Sequence, residues 1–184
     1  MTILRSLRPM VGACVTGLAV LAVLAPTPAM SADPSHAAGA TTAVRAAACT
    51  MSDITVRRGR LEGAAGSRFQ TVRATNTSGH ACALPGWTRY RFVHRGAAIG
   101  FRSARNPGQD PTKPPIVIPV GGTARSTLSW VDPGPVPAAQ CHARLATGSR
   151  VHLAGIPGRY RIHLHAPVCT TEQYRPHGTR LRMR

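Results

Sequence analysis

Residues Thr123 to Val131 alternate one by one. Ala124, Ser126, Leu128 and Trp130 are small or apolar on one side, and Arg125, Thr127 and Ser129 are polar on the other. A side-chain repeat of two is that of a β-strand with one buried face. Gly121-Gly122 opens the segment and Asp132-Pro133-Gly134-Pro135 stops it, with residue types that make tight turns and cannot continue a strand. The same punctuation recurs along the chain. Strands are expected at Ser52–Arg57, Arg68–Asn76, Trp87–His94, Ala97–Arg102, Ile116–Val120, Ser149–Ala154 and Arg159–Ala166. Tyr90 and Phe92 alternate with Arg89 and Arg91, and Ile99 is expected to share a face with Phe101. The Pro-rich stretch around Asn106-Pro107-Gly108, Pro111, Pro114 and Pro115 reads as loop. With 16 Pro and 18 Gly and no run of helical period, the chain has no place for a long helix. The fold class is therefore all-β: an Ig-like antiparallel β-sandwich of about 7–9 strands.

Before the first strand comes a leader. Arg5 and Arg8 precede an uncharged apolar run from Met10 to Ala25, and helix breakers and small residues follow at Pro26 to Ala32. This is the layout of a secretory signal, with cleavage expected between Ala29 and Ala32. The run falls short of the roughly 20 residues that span a bilayer. Cys14 sits at the start of that run, where a lipid-modified cysteine would follow it, so no lipoprotein is expected. The organisation is then a signal peptide over 1–31, an Ala/Ser/Thr-rich flexible linker over 32–48, and the sandwich domain over 49–184. A secreted, extracellular or wall-associated location follows, with no membrane span after processing.

Export leaves four cysteines, Cys49, Cys82, Cys141 and Cys169, in an oxidising compartment. Cys49 precedes the first strand and Cys82 follows the second. Cys141 precedes the penultimate strand and Cys169 follows the last. In antiparallel hairpins these positions are neighbours, so the expected pairs are Cys49–Cys82 and Cys141–Cys169. A Cys₄ zinc site would show close Cys-x₂₋₄-Cys pairs, and the chain has none.

Charge sets the function classes. The chain carries 23 Lys and Arg against 6 acids, a net +17, and loss of Arg5 and Arg8 leaves +15. Lys113 is the only lysine. Such a surface attracts polyanions. For an exported protein the partner would be an anionic cell-wall polymer or an envelope protein, with nucleic acid disfavoured. Arg-rich codon usage would give the same composition without any ligand. Catalysis has little material: no Gly-x-Ser-x-Gly is present, and the acids of the folded part are Asp53, Glu62, Asp110, Asp132 and Glu172. The expectation is a non-catalytic domain without a cofactor.

A metal site is the secondary reading. If Pro157-Gly158 centres a two-residue turn, His163 opposes His152 and His165 opposes Arg150, with His165 on the same face. Directly opposed imidazoles, about 5 Å apart at Cβ, suit Zn²⁺ or Cu²⁺. Arg150 and Arg161 beside them work against a cation. Asn76-Thr77-Ser78 fits an N-glycosylation sequon and is read as a turn.

Asn76-Thr77-Ser78-Gly79-His80-Ala81-Cys82-Ala83-Leu84-Pro85-Gly86-Trp87 resembles the signature of an exported actinobacterial family, domain of unknown function 4232. That signature carries Asn-Thr-Gly, then Cys-Thr-Leu, a spacer, Gly and an aromatic. Here Ser78 is interposed and Ala83 stands in place of Thr. Pro119-Val120-Gly121-Gly122-Thr123-Ala124, running on to Trp130, resembles the second block, with Val120 between Pro and Gly. The resemblance covers roughly Cys49 to Cys169. It implies an exported β-sandwich and transfers no catalytic residue.

Overall fold

The structure, a computed structural model, describes residues 46–183 apart from Pro111. The expected signal peptide and nearly all of the expected linker lie outside the described residues. Among those residues, no helix is long and apolar enough to cross a membrane.

The chain is built of strands. Ala47–Ala48 (β1), Ile54–Ala64 (β2), Ser67–Asn76 (β3), Cys82–Leu84 (β4) and Thr88–His94 (β5) come first. Ala97–Ala98 (β6), Ala104–Arg105 (β7), Ile116–Ile118 (β8) and Thr123–Val131 (β9) follow. A one-turn helix, Ala138–Cys141 (α1), leads into Arg144–Leu153 (β10) and Tyr160–Val168 (β11). Two short strands, His177–Gly178 (β12) and Arg182–Met183 (β13), end the fold.

These strands form two larger sheets and a small one. One larger sheet runs β2-β3-β9-β12-β7, with β13 also on β9, and the other runs β11-β10-β5-β6. The small sheet is β1-β4-β8. The two larger sheets share one core. Val72, Ala74, Leu128 and Trp130 come from the first, and Tyr90, Phe92, Val151, Leu153, Ile162 and Leu164 from the second. The rings of Phe92 and Trp130 meet edge to face at 5.3 Å, and Trp130 Nε1 donates to the Pro167 carbonyl across the core. The alternation at Thr123–Val131 is realised in full: Ala124, Ser126, Leu128 and Trp130 are all buried.

Both disulfides have the expected pairing. Cys49 joins Cys82 and Cys141 joins Cys169, with Cα atoms 4.9 and 4.6 Å apart. The second closes the open end of the β10–β11 hairpin, where Arg144 opposes Val168. The first has a different setting from the one expected. Ala47 and Ala48 pair in parallel with Cys82 and Ala83, so the folded part starts before Cys49 and the bridge ties two adjacent strands of the small sheet.

Three local features depart from the sequence reading. The first strand runs on to Ala64 through a bulge at Gly59 and Arg60, which breaks the period of two. The buried Gln70 amide donates to the carbonyls of both bulged residues, at 2.9 and 3.0 Å. After β6, Gly100 at φ +58° turns the chain, so Ile99 is buried while Phe101 lies exposed. They do not share a face. The β10–β11 connection is a wide loop rather than a two-residue turn. Ile156 enters the core from that loop, Gly155 and Gly158 adopt positive φ, and the last pair of the ladder is Val151 with Tyr160.

The signature segments turn out to be structural ties. Asn76 is fully buried and its side chain makes four hydrogen bonds. Its amide nitrogen donates to the carbonyls of His80 and Ile118, and its oxygen accepts from the Ser78 backbone N–H and hydroxyl. Its backbone pairs with Gly121 and Gly122, whose turn needs Gly121 at φ +70°. Gly86, at φ +88°, accepts from Leu181 N–H and lies against the Arg180 guanidinium. We expect Asn76→Ala to lower stability by about 3 kcal/mol, because it strands the buried Ile118 carbonyl and removes the bonds that hold the Ser78–His80 turn. Urea unfolding checks this, and a loss below about 1 kcal/mol would contradict the role given to the network.

Candidate anion-binding groove

Both larger sheets carry arginines on their outer faces. Arg57, Arg73, Arg125 and Arg182 form a cross-strand row on the first. The β11-β10-β5 face carries the row that borders two concavities. Tyr90 and Phe92 point into the core, so the period of two sends Arg89 and Arg91 outward. Arg150 and His152 take the same side of β10, between the buried Ser149, Val151 and Leu153. The register then aligns like charges. Arg150 lies directly opposite Arg91 on one side and Arg161 on the other, and His152 opposes Arg89. Three arginines in one cross-strand row repel one another, at a cost to the sheet.

Two concavities open on this face. The first, of about 620 Å³, is lined by Arg89, Arg91, Arg102, Arg150, Arg159 and His152 over Tyr90, Ala98 and Gly158. The second, of about 660 Å³, is lined by Arg89, Arg91, Arg102, Arg105 and Arg175 with Phe101, Ser103 and Ala104. Arg89, Arg91 and Arg102 belong to both, so the two form one groove with a shared crest. None of the lining side chains is acidic.

Backbone geometry places the loop arginines. Ile99 N–H and Ser103 N–H donate to the carbonyls of Phe92 and Tyr90, and the Ser103 hydroxyl accepts from Tyr90 N–H. The segment from 99 to 103 is thereby held along β5 and carries Arg102 to the crest. Arg105 lies over the Trp87 ring, 4.7 Å from its centre, with Arg180 also close at 5.9 Å. Arg175 sits 5.7 Å from the Phe101 ring centre and bonds Glu172 at 2.5 Å. Arg150 donates to the Gly96 carbonyl at 2.6 Å. The Nε atoms of Arg91 and Arg175 are enclosed without a hydrogen-bond partner.

Four of the five carboxylates of the described residues have local roles elsewhere, and the fifth, Glu172, pairs with the groove's Arg175. Asp53 accepts from the backbone and hydroxyl of Thr50, Asp110 from those of Thr112, and Asp132 from Arg68 at 2.6 Å. Glu62 pairs with Arg60 and Glu172 with Arg175. The hydrogen bond from Arg68 holds the Asp132 carboxyl below its ordinary 3.8, and bonds from Thr50 and Thr112 do the same for Asp53 and Asp110. A carboxyl depressed in the folded state stabilises fully above its unfolded value. That contribution is lost as pH falls from about 3.8 through the lower folded value. The domain is expected to lose stability over this acid range. Asp132→Asn should flatten the decline while lowering stability at neutral pH. Urea midpoints at neutral pH and below pH 3.8 check this, and an equally steep acid decline in the variant would contradict it.

The histidines do not converge. His163 opposes Gly148, not His152, because the wide 154–159 loop shifts the register from the one expected. His165 lies at an irregularity in the ladder, and His152 Nδ1 is 3.1 Å from the Gly158 carbonyl oxygen. Among the described residues, no group of three or more His, Cys, Asp or Glu is placed to hold a metal ion. His152, His163 and His165 therefore do not form the site considered from the sequence. The formal sequon asparagine, Asn76, is buried and serves the turn.

Compared with known proteins, residues 49–179 match the model of the family described as domain of unknown function DUF4232. The chain belongs to this family. The matched span holds both disulfides and all seven groove arginines of this DUF4232 domain. No curated protein and no solved structure matches the chain. In the DUF4232 domain the resemblance blocks around Asn76, Gly86 and Gly121 form structural ties, and the first touches the groove through Trp87, over whose ring Arg105 lies. Sequence periodicity places Arg89, Arg91, Arg150 and Arg161 on strands. It expects Arg102 and Arg159 at the ends of strands, whereas both lie in irregular segments, and it does not place Arg105 and Arg175; the four converge only through tertiary contacts.

Proposed function

We propose that this is an exported, non-catalytic domain that binds an anionic polymer of the cell envelope through the arginine groove. One observation carries the reading: seven arginines from separate strands and loops converge on two adjoining basins whose lining holds no acidic residue. Packing does not call for that convergence, since any polar residue satisfies an outward strand or loop position. An anion would relieve the repulsion and take the guanidinium forks. Two disulfides fit an oxidising compartment.

The test is sedimentation of the purified domain with isolated cell walls across a salt series. Retention should fall steeply as salt rises. Retention that is absent or insensitive to salt overturns the reading.

A further inference from the structure

Resting on that reading, we infer that the groove's occupant is a linear chain bearing phosphate groups in series, which lies across both basins and over the crest between them. The shape of the groove supports a chain. Arg150 and Arg159 belong to the first basin alone, Arg105 and Arg175 to the second alone, and Arg89 and Arg91 to both. A single small anion occupies part of one basin and leaves the other basin's Arg105, or Arg150 and Arg159, without an anion. A chain neutralises both basins and the crest at once.

The arrangement of cations supports phosphate. Each basin presents guanidinium groups from more than one wall: strands β5 and β10 with the 158–159 segment in the first, and β5 with the 101–105 and 175 segments in the second. A carboxylate's roughly four lone-pair sites lie near one plane, so the forks it accepts must approach close to that plane. A tetrahedral phosphate directs its oxygens out of any single plane and can meet forks from several walls. Every cation of the groove is Arg, whose planar fork matches phosphate oxygens in pairs, and the one lysine, Lys113, is not among the lining residues.

The experiment is titration calorimetry of the disulfide-intact domain with tripolyphosphate, long-chain polyphosphate and long-chain polyglutamate. Concentrations are counted per anionic group. Long-chain polyphosphate should bind about a hundredfold more tightly than tripolyphosphate, because the second basin is engaged intramolecularly. Arg159→Ser and Arg105→Ser, both at exposed positions, should each weaken long-chain binding about tenfold. Together they should bring it down to the tripolyphosphate level. Arg89→Ser, at the crest, should weaken short and long chains alike. Circular dichroism of each variant reports whether the fold is retained.

Equal per-group affinity for short and long polyphosphate overturns the two-basin chain while leaving an anion site in place. Polyglutamate binding as tightly as polyphosphate overturns the phosphate assignment. Failure of all three polyanions to bind removes the underlying proposal of an anionic ligand as well.

Discussion

Replacing all four cysteines by serine is expected to leave the domain largely unfolded at ambient temperature. The Cys49–Cys82 bridge spans 33 residues and Cys141–Cys169 spans 28. Closing loops of that length in the unfolded chain corresponds to about 3.7 and about 3.6 kcal/mol. Their sum approaches or exceeds much of the roughly 5–15 kcal/mol that holds a small domain folded. The two bridges also act at different places. One secures the start of the folded chain to β4 of the small sheet, and the other shuts the open end of β10–β11. They share no partner, so the two double replacements should add. Urea unfolding of each, followed by near-ultraviolet circular dichroism of the quadruple variant, measures this. A cysteine-free domain that keeps a cooperative transition with most of its stability would contradict it.

The second large effect concerns the groove. Replacing Arg89, Arg91 and Arg150 together by serine should weaken binding to long-chain polyphosphate by about a hundredfold or more, since a charged hydrogen bond contributes about 1.5–3 kcal/mol. The fold should survive, because all three side chains lie on the outer face of the sheet. The companion variant, Arg161→Thr, removes the end of the like-charge row at an exposed strand position. It should raise stability by about 0.5 kcal/mol, as relief of a directly opposed like charge and a residue that favours strands both act in that direction. Loss of binding beside unchanged or higher stability separates a ligand-serving row from a packing one. If Arg161→Thr destabilises the domain, the row is part of what holds the sheet together.

The strand pattern was legible where one face of a strand is buried. Thr123–Val131 was read to the residue, and Tyr160–Val168, expected as Arg159–Ala166, to within two residues, because every second residue goes into the core. The period failed where the backbone itself bends. The Gly59–Arg60 bulge hid half of β2, and the turn at Gly100 cut the expected Ala97–Arg102 strand to two residues. The disulfide pairing was legible because it needs only strand order. The histidine alignment was not, because it needs exact register. Ile156 goes into the core instead of joining a tight turn, and that choice separates His152 from His163. The groove was half legible. Strand alternation exposes Arg89, Arg91 and Arg150, but nothing local shows that Arg102, Arg105, Arg159 and Arg175 gather around them.

The most direct test of the arginine groove compares salt slopes for binding to isolated cell walls. For the intact domain, the logarithm of the affinity should fall linearly with the logarithm of salt concentration. The Arg89, Arg91 and Arg150 triple replacement should bind more weakly and with a shallower slope, by about one unit per anion-contacting arginine removed. Wall binding in the triple variant with the same affinity and slope as the intact domain would contradict the claim that this groove is where the anion binds.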